Sequence, residues 1–215
     1  MTCLCLTKNR RRWLPQAIAC FERQTHQNAE LLILADGEDI HDLLPADDPR
    51  VRLIHLERTL NVGDKRNFGC ERAAGDVIAH WDDDDHSEPE RLADQLRRLD
   101  ESGKSVTGFH SMRFTDGTQW WQYKGAIDYA LGTSLVYRRE WWRANRFKSV
   151  QIGEDNQFVR NAHARRQFVS ADAGHLMHAT VHPGNTSRRN FGSSWKKLPN
   201  GVSGNVFSHH PQQDR

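Results

Sequence analysis

Four consecutive carboxylates, Asp82-Asp83-Asp84-Asp85, close the short apolar run Val77-Ile78-Ala79-His80-Trp81. Like charges side by side repel one another and oppose folding unless something neutralises them. On a solvated surface loop they would need no partner, and that is the plainest reading of the stretch. But Val77 to Trp81 has the length and composition of a buried strand, and buried strands seldom end in adjacent carboxylates. Behind them, Ser87-Glu88-Pro89-Glu90 has the Ser-x-x-Glu form of a helix capping box. The four aspartates are therefore predicted on a tight strand-to-helix turn. Clustered oxygen ligands on such a turn suit a hard divalent cation, magnesium or manganese, shared with a phosphate.

Such a turn needs a scaffold, and the N-terminal half supplies one. Thr2 to Leu6 reads as a strand, followed by the polar turn Thr7-Lys8-Asn9-Arg10. Leu14, Ala17, Ile18 and Phe21 recur at helical spacing, with Pro15 near the start where proline is tolerated. Leu31 to Ala35 is a second strand that stops at Asp36-Gly37, and Val51 to Leu56 is a third. Asn61 to Gly69 leads into a helix ending near Gly75, Val77 to Trp81 is the fourth strand, and Leu92, Leu96 and Leu99 mark the helix behind it. Strands alternating with amphipathic helices predict an α/β fold with a mostly parallel central sheet flanked by helices. Parallel strands put their carboxyl ends along one edge, where ligands bind. Thr7 to Arg10, Asp36 and Asp82 to Asp85 should thus face one crevice.

The second half is less regular. Lys104 to Phe114 reads as a strand, Asp116-Gly117 as a hairpin turn, and Thr133 to Tyr137 as a further strand with a short Trp-rich helix behind it. Gly153-Glu154-Asp155 opens another helix, carried by Phe158, Val159 and Ala162. From Arg188 onward apolar residues thin out, and residues 188–215 are expected to form a flexible tail or lid.

The bulk composition excludes several classes. The chain has 215 residues, 37% hydrophobic and 27% charged, which fits one globular domain with a proper core. No apolar run approaches membrane-spanning length, and the N-terminus lacks the basic start of a signal peptide. A net charge of +2 gives no reason to expect a nucleic-acid binder. Cys3, Cys5, Cys20 and Cys70 form no CxxC pair and no zinc spacing, so they are expected to be reduced and the chain cytoplasmic.

The order of these segments resembles the family 2 glycosyltransferases of GT-A fold. It runs from an N-terminal strand, through an Asp closing the second strand and the segment Asn61-Val62-Gly63-Asp64-Lys65-Arg66-Asn67-Phe68-Gly69, to a strand ending in Asp-x-Asp-Asp and a Gly-Glu-Asp roughly seventy residues later. The similarity spans about residues 2 to 187. It implies a single Rossmann-like GT-A domain that transfers a sugar from a nucleoside-diphosphate sugar, UDP-linked by family habit, through a divalent metal and with inversion. Residues 1–100 are then expected to form the donor-binding half and residues 101–187 the acceptor and catalytic-base half.

Carried over by position, the resemblance implies that Thr7, Asn9, Asp36, Lys65, Arg66 and Asn67 contact the nucleotide sugar. Asp82 and Asp84 correspond to the Asp-x-Asp pair, with Asp83 in the variable place and Asp84 as the metal ligand. Asp85 is a further metal or donor contact. Asp155, next to Glu154, is implied as the general base. His182, in His-x-x-Asn-Thr-Ser, is implied near the metal, with His178 four residues earlier as the alternative. A histidine ligand would favour manganese over magnesium. The Gln-x-x-Arg-Trp motif of processive polysaccharide synthases is missing. Trp120, Trp121, Trp141 and Trp142 could stack on an acceptor sugar or simply fill the core. The acceptor could be a glycan, a lipid-linked sugar, a protein or a small molecule, with a nucleic acid the least favoured.

Two rival readings keep the acidic cluster. A sugar-phosphate nucleotidyltransferase or nuclease would use the same metal, but the loop after the first strand, Lys8-Asn9-Arg10-Arg11, lacks the glycines that nucleotidyltransferases usually carry there. A non-catalytic calcium-binding module would have no use for Asp155.

Overall fold

The structure is a computed structural model that describes residues 1–187 and 192–199. Its first half is a parallel sheet. Strands β1 (Thr2–Lys8), β2 (Glu30–Asp36) and β3 (Val51–His55) lie side by side, and β4 (Val77–His80) flanks β1 on the other edge. Alternation along β1 decides which face each residue serves. Cys3 and Cys5 face helices α1 (Leu14–Glu22) and α3 (Arg91–Ser102), in a core with Leu31, Ile33, Leu14, Phe21, Leu92 and Leu99. Leu4 faces the opposite layer, which contains α2 (Val62–Arg72), α4 (Arg139–Ala144) and α5 (Glu154–Ala164), with Cys70, Trp142, Phe158 and Ala162. All four cysteines are free and buried.

Helix α2 carries few apolar residues and is held by other means. Asn61 caps it by accepting from the Asp64 backbone N–H at 2.9 Å. Gly69 lets it lie close to the sheet, because a Cβ there would meet the Leu4 side chain at 2.3 Å. That close approach brings Lys65 and Arg66 over the carboxyl ends of β1 and β2.

The second half departs from a mostly parallel sheet. Strands β6 (Val106–Thr115), β7 (Trp120–Lys124) and β8 (Val136–Arg138) continue from β4 by antiparallel pairing. Two further strands, β9 (Phe168–Asp172) and β10 (Met177–Thr180), lie parallel to β6. The sheet is therefore mixed. Thr133 does not start a strand: Gly132–Ser134 is a short 3-10 turn, and β8 begins at Val136. Within the segment expected to be a tail or lid, β11 (Trp195–Lys197) pairs with β7, while 188–191 and 200–215 lie outside the described residues.

The capping box predicted at Ser87 does not form. Its residues enter β5 (His86–Ser87), which pairs with β10, and α3 starts only at Arg91 with no side-chain cap. Ser87 instead accepts from the Arg91 guanidinium at 2.8 Å. Arg91 is fully buried, also donates to Gln95, to the His80 carbonyl and to the Thr133 carbonyl, and lies 5.0 Å from the Trp81 ring. It ties α3 to both ends of the acidic turn. Arg91→Ala would leave several buried acceptors unpaired, so denaturant unfolding should show a loss of about 3 kcal/mol or more. Arg97→Ala on the exposed face of α3 should leave the midpoint nearly unchanged.

Candidate active site

A cavity of about 600 Å³ opens at the carboxyl ends of β1 and β4. The residues after β1 (Thr7, Lys8, Arg10), the start of α2 (Lys65, Arg66), the aspartate turn, the 3-10 turn, the start of α5 and the loop after β10 all line it. β1 sits between β2 and β4, so the chain leaves it toward different neighbours on either side, and a crevice results.

The aspartates are each held differently. Asp82 is the most accessible and faces the Arg66 guanidinium at 3.9 Å. Asp83 is buried, 3.0 Å from the Arg10 guanidinium, and its Oδ2 has no protein partner. Burial, and next the charge of Asp84, push its carboxyl up to about 6. Asp84 Oδ2 accepts from Arg10 at 2.9 Å, from His182 Nε2 at 2.9 Å and from Asn185 at 3.2 Å. Asp85 accepts from the Thr133 hydroxyl and from the Thr180 backbone N–H at 3.1 Å, and burial holds its carboxyl well above the usual range. One oxygen each from Asp82, Asp84 and Asp85 fall within 4.8 Å of one another.

His182 and not His178 reaches this cluster. The Gly184 N–H donates to His182 Nδ1 at 3.1 Å, so the ring proton sits on Nε2 and is donated to Asp84. The ring stacks on Trp13 with centroids 4.8 Å apart. His178 is buried against His86 and Trp120, and burial pulls its pKa down to about 3; it does not line the cavity.

On the opposite wall α5 begins at Glu154. Glu154 is buried and paired with Arg66 Nε at 2.9 Å. Asp155 turns into the cavity, and its carboxylate lies against Gly132, where an added Cβ would meet Oδ2 at 2.0 Å. Burial first, and the neighbouring Glu154 charge second, push the Asp155 carboxyl up to about 6. Two bridges fix this wall relative to the aspartates. Arg66 faces both Glu154 and Asp82, and the 3-10 turn touches Asp155 through Gly132 and Asp85 through Thr133.

Other expected contacts fall elsewhere. Asp36 is buried behind the cavity wall, paired with Lys65 and 4.0 Å from Lys8, with its Oδ2 unsatisfied. Asn9 accepts from the Glu38 N–H at 3.0 Å and faces a shallower depression outside the loop. Asn67 does not reach the cavity: its amide holds the Phe147 backbone and the Trp142 indole. The tryptophans do not line it either. Trp142, on α4, is buried in the core, with half-buried Trp141 packed against it; Trp120 packs against His178, and half-buried Trp121 packs against the cluster of Phe109, Met112 and Phe114. Arg10, Thr133 and Asn185 gained no role from the sequence, although Arg10 follows β1 at the same sheet edge as the aspartates.

The arrangement can do three things together: hold a cation among carboxylates, neutralise an anion with Lys8, Lys65 and Arg66, and accept a proton at Asp155. The family model described as glycosyl transferase family 2 matches residues 3–171. The chain belongs to that family. A protein of Rickettsia bellii described as an uncharacterized glycosyltransferase is 30% identical over 126 residues, half of this chain and 18% of that protein's length. The fold is that of the GT-A glycosyltransferases. Staphylococcus aureus TarS 1–349 in complex with UDP-GlcNAc superposes with a TM-score of 0.69 at 18% identity, covering 86% of this chain and 59% of that one. The mannosyltransferase PcManGT of Pyrobaculum calidifontis, in complex with GDP-Man and Mn2+, gives 0.61 at 12% identity, covering 84% of this chain and 56% of that one. Among the described residues no helix is long and apolar enough to cross a membrane.

Because the Glu154 charge helps hold the Asp155 proton, Glu154→Gln should move the Asp155 titration, followed by carboxyl carbon NMR, to lower pH. A midpoint that stays at about 6 or rises would contradict the proposed coupling.

Proposed function

We propose that this chain is a metal-dependent, inverting glycosyltransferase that moves a sugar from a nucleoside-diphosphate sugar, UDP-linked in preference to GDP-linked, to an acceptor hydroxyl. The observation that carries the reading is the shared cavity: the acidic cluster and Asp155 face each other across it and are tied by Arg66 and by the Gly132–Thr133 turn. Residues 1–100 form the donor half and 101–187 the acceptor half of one domain.

The residues fit a hard divalent cation. Three carboxylates converge, and Asp83 keeps a buried oxygen without a partner. Asp84 would hold the ion, with Asp82 beside it. Asp85 is already engaged by Thr133 and Thr180 and so supports the cluster from behind. His182 could join only by moving its Nε2 proton to Nδ1, which would break the contact from the Gly184 N–H. Manganese is preferred for its tolerance of such a ligand, and PcManGT was obtained with that ion. A cation bound there supplies charge neutralisation at the departing diphosphate.

The chain's own groups do the rest. Lys8, Lys65 and Arg66 line the cavity where the anionic donor would lie. Arg66 cannot swing away, because Glu154 holds it. Asp155 receives the acceptor's hydroxyl proton as the oxygen attacks the anomeric carbon from the side opposite the diphosphate. One displacement then inverts the centre without a protein nucleophile. A carboxyl raised to about 6 is a better base near neutral pH than an ordinary one and is still ionised there.

Incubation with a panel of UDP-, GDP- and TDP-sugars and Mn2+ should release nucleoside diphosphate from one of them, and EDTA should abolish the release. No release from any donor, or release indifferent to EDTA, would sink the reading. Asp155→Asn should bind nucleotide as the parent chain does and lose about 10²-fold or more in transfer. Since only ionised Asp155 accepts the proton, log kcat/KM should climb with pH and level off above about 6. A profile flat from pH 5 to 8 would remove Asp155 from the role.

A further inference from the structure

In the apolar run Val77 to Trp81 the odd residue is His80. It closes β4, fully buried, outside the cavity and with no part in the transfer described above. A leucine or phenylalanine would fill the same space, and a buried imidazole opposes folding unless its nitrogens are bonded. Both are. Nδ1 lies 2.6 Å from the Gly132 carbonyl oxygen, and Nε2 lies 3.3 Å from the Tyr137 hydroxyl. A carbonyl can only accept, so Nδ1 carries the ring proton. Nε2 then accepts from Tyr137, whose oxygen is 3.3 Å from the Cys70 thiol.

The bond to Gly132 matters because of what lies on the other side of that glycine. The Asp155 carboxylate packs against it, so closely that an added Cβ would meet Oδ2 at 2.0 Å. The place of Gly132 therefore decides where the carboxylate can rest. Other groups hold the remainder of the turn. The His80 backbone N–H donates to the Leu135 carbonyl at 2.8 Å, Arg91 to the Thr133 carbonyl at 3.1 Å and Gln95 to the Ser134 carbonyl at 2.7 Å. The Gly132 carbonyl takes the turn's own closing bond from the Leu135 N–H at 3.3 Å, and the shorter bond from the imidazole.

We infer that His80 is a positioning residue for Asp155: its Nδ1–H holds the Gly132 carbonyl and so fixes the surface against which the Asp155 carboxylate rests. The inference rests on the glycosyltransferase reading above, in which Asp155 takes the acceptor's proton, and adds to it a residue that never touches substrate. No proton passes between His80 and Asp155, since a peptide carbonyl and an α-carbon separate them.

Two substitutions separate the donor from the ring. His80→Phe keeps an aromatic body edge-on to Tyr137 and beside Phe147 but has no donor. His80→Asn gives up the ring but puts an amide N–H in the place of Nδ1. Neither alters the charged groups that act on Asp155, which are Glu154, Arg66 and Asp82. In His80→Phe the Asp155 midpoint, followed by carboxyl carbon NMR, should fall from about 6 by at least about half a pH unit as the carboxylate loses burial. Its kcat should fall about tenfold, with the donor KM within about twofold of the parent. His80→Asn should recover most of both. Tyr137→Phe should lower the unfolding midpoint and leave the Asp155 midpoint at about 6. A role confined to folding predicts the opposite order, with the well-packed Phe variant resembling the parent and the Asn variant impaired. A Phe variant whose Asp155 midpoint stays at about 6 or rises, or an Asn variant no better than Phe, would overturn the inference. Nitrogen NMR of the parent chain decides the matter even if both variants fail to fold: the His80 ring proton should be on Nδ1, and a ring protonated at Nε2 alone would overturn the inference. A shifted midpoint with parental kcat would uphold the link and count against Asp155 as the base. Absence of nucleotide release from the parent chain would likewise count against the glycosyltransferase reading, while the NMR measurements, which need no turnover, still judge His80.

Discussion

The structure depends on how four adjacent carboxylates are kept at the end of a buried strand. Three arginines carry most of the answer. Arg10 sits over Asp83 and Asp84, Arg66 faces Asp82, and Arg91 lies behind the turn with four bonds into its backbone and neighbours. The compensation is partial. The Asp83 and Asp155 carboxyls rise from 3.8 to about 6, and the Asp85 carboxyl is also held well above the usual range, with burial the leading cause in each case. A carboxyl whose folded value lies above its unfolded one opposes folding once the pH exceeds the unfolded value. At neutral pH these groups therefore weaken the fold, and such concentrated opposition is what a functional site looks like.

Arg66 is where the two halves of the chain meet. It stands on α2 and pairs with Glu154 at the start of α5, 88 residues away in sequence. Glu154 fixes Arg66 beside Asp82, and its charge raises the proton affinity of Asp155 next to it. The short 3-10 turn makes the second connection, through a glycine that leaves room for the Asp155 carboxylate and a threonine that bonds Asp85. Together the two links tie Asp155 to the acidic cluster from both sides of the cavity.

The N-terminal half was legible in the sequence because parallel strands buried on both faces read as continuous apolar runs. Leu31 to Ala35 and Val77 to Trp81 could hardly be anything else, and placing them fixed the crevice and its aspartates. The later half was harder for definite reasons. Ser87-Glu88-Pro89-Glu90 satisfies a capping pattern, yet its serine is claimed by the buried Arg91, a tertiary contact that no local pattern encodes. Asn67 lies in a family-like segment, but the indole of Trp142 and the Phe147 backbone occupy its amide. The tryptophan pairs are equally suited to sugar and to core, and packing assigned them to the core. Arg10 went unassigned because its partners are more than seventy residues distant.

Under the proposed reading, Asp155 sets limits on the charges that can surround it. Burial is the largest contribution to that carboxyl's raised proton affinity, and Gly132 lies directly against it. A lysine or arginine beside it would stabilise the carboxylate and return it toward its ordinary value, making it a poorer base. A further carboxylate would raise it beyond the range in which it is ionised near neutrality. The charges around Asp155 are therefore balanced, with Glu154 and Asp82 raising its proton affinity and Arg66 lowering it. Under the proposed reading, a carboxyl held at about 6 at Asp155 thus limits which further charges its surroundings can carry.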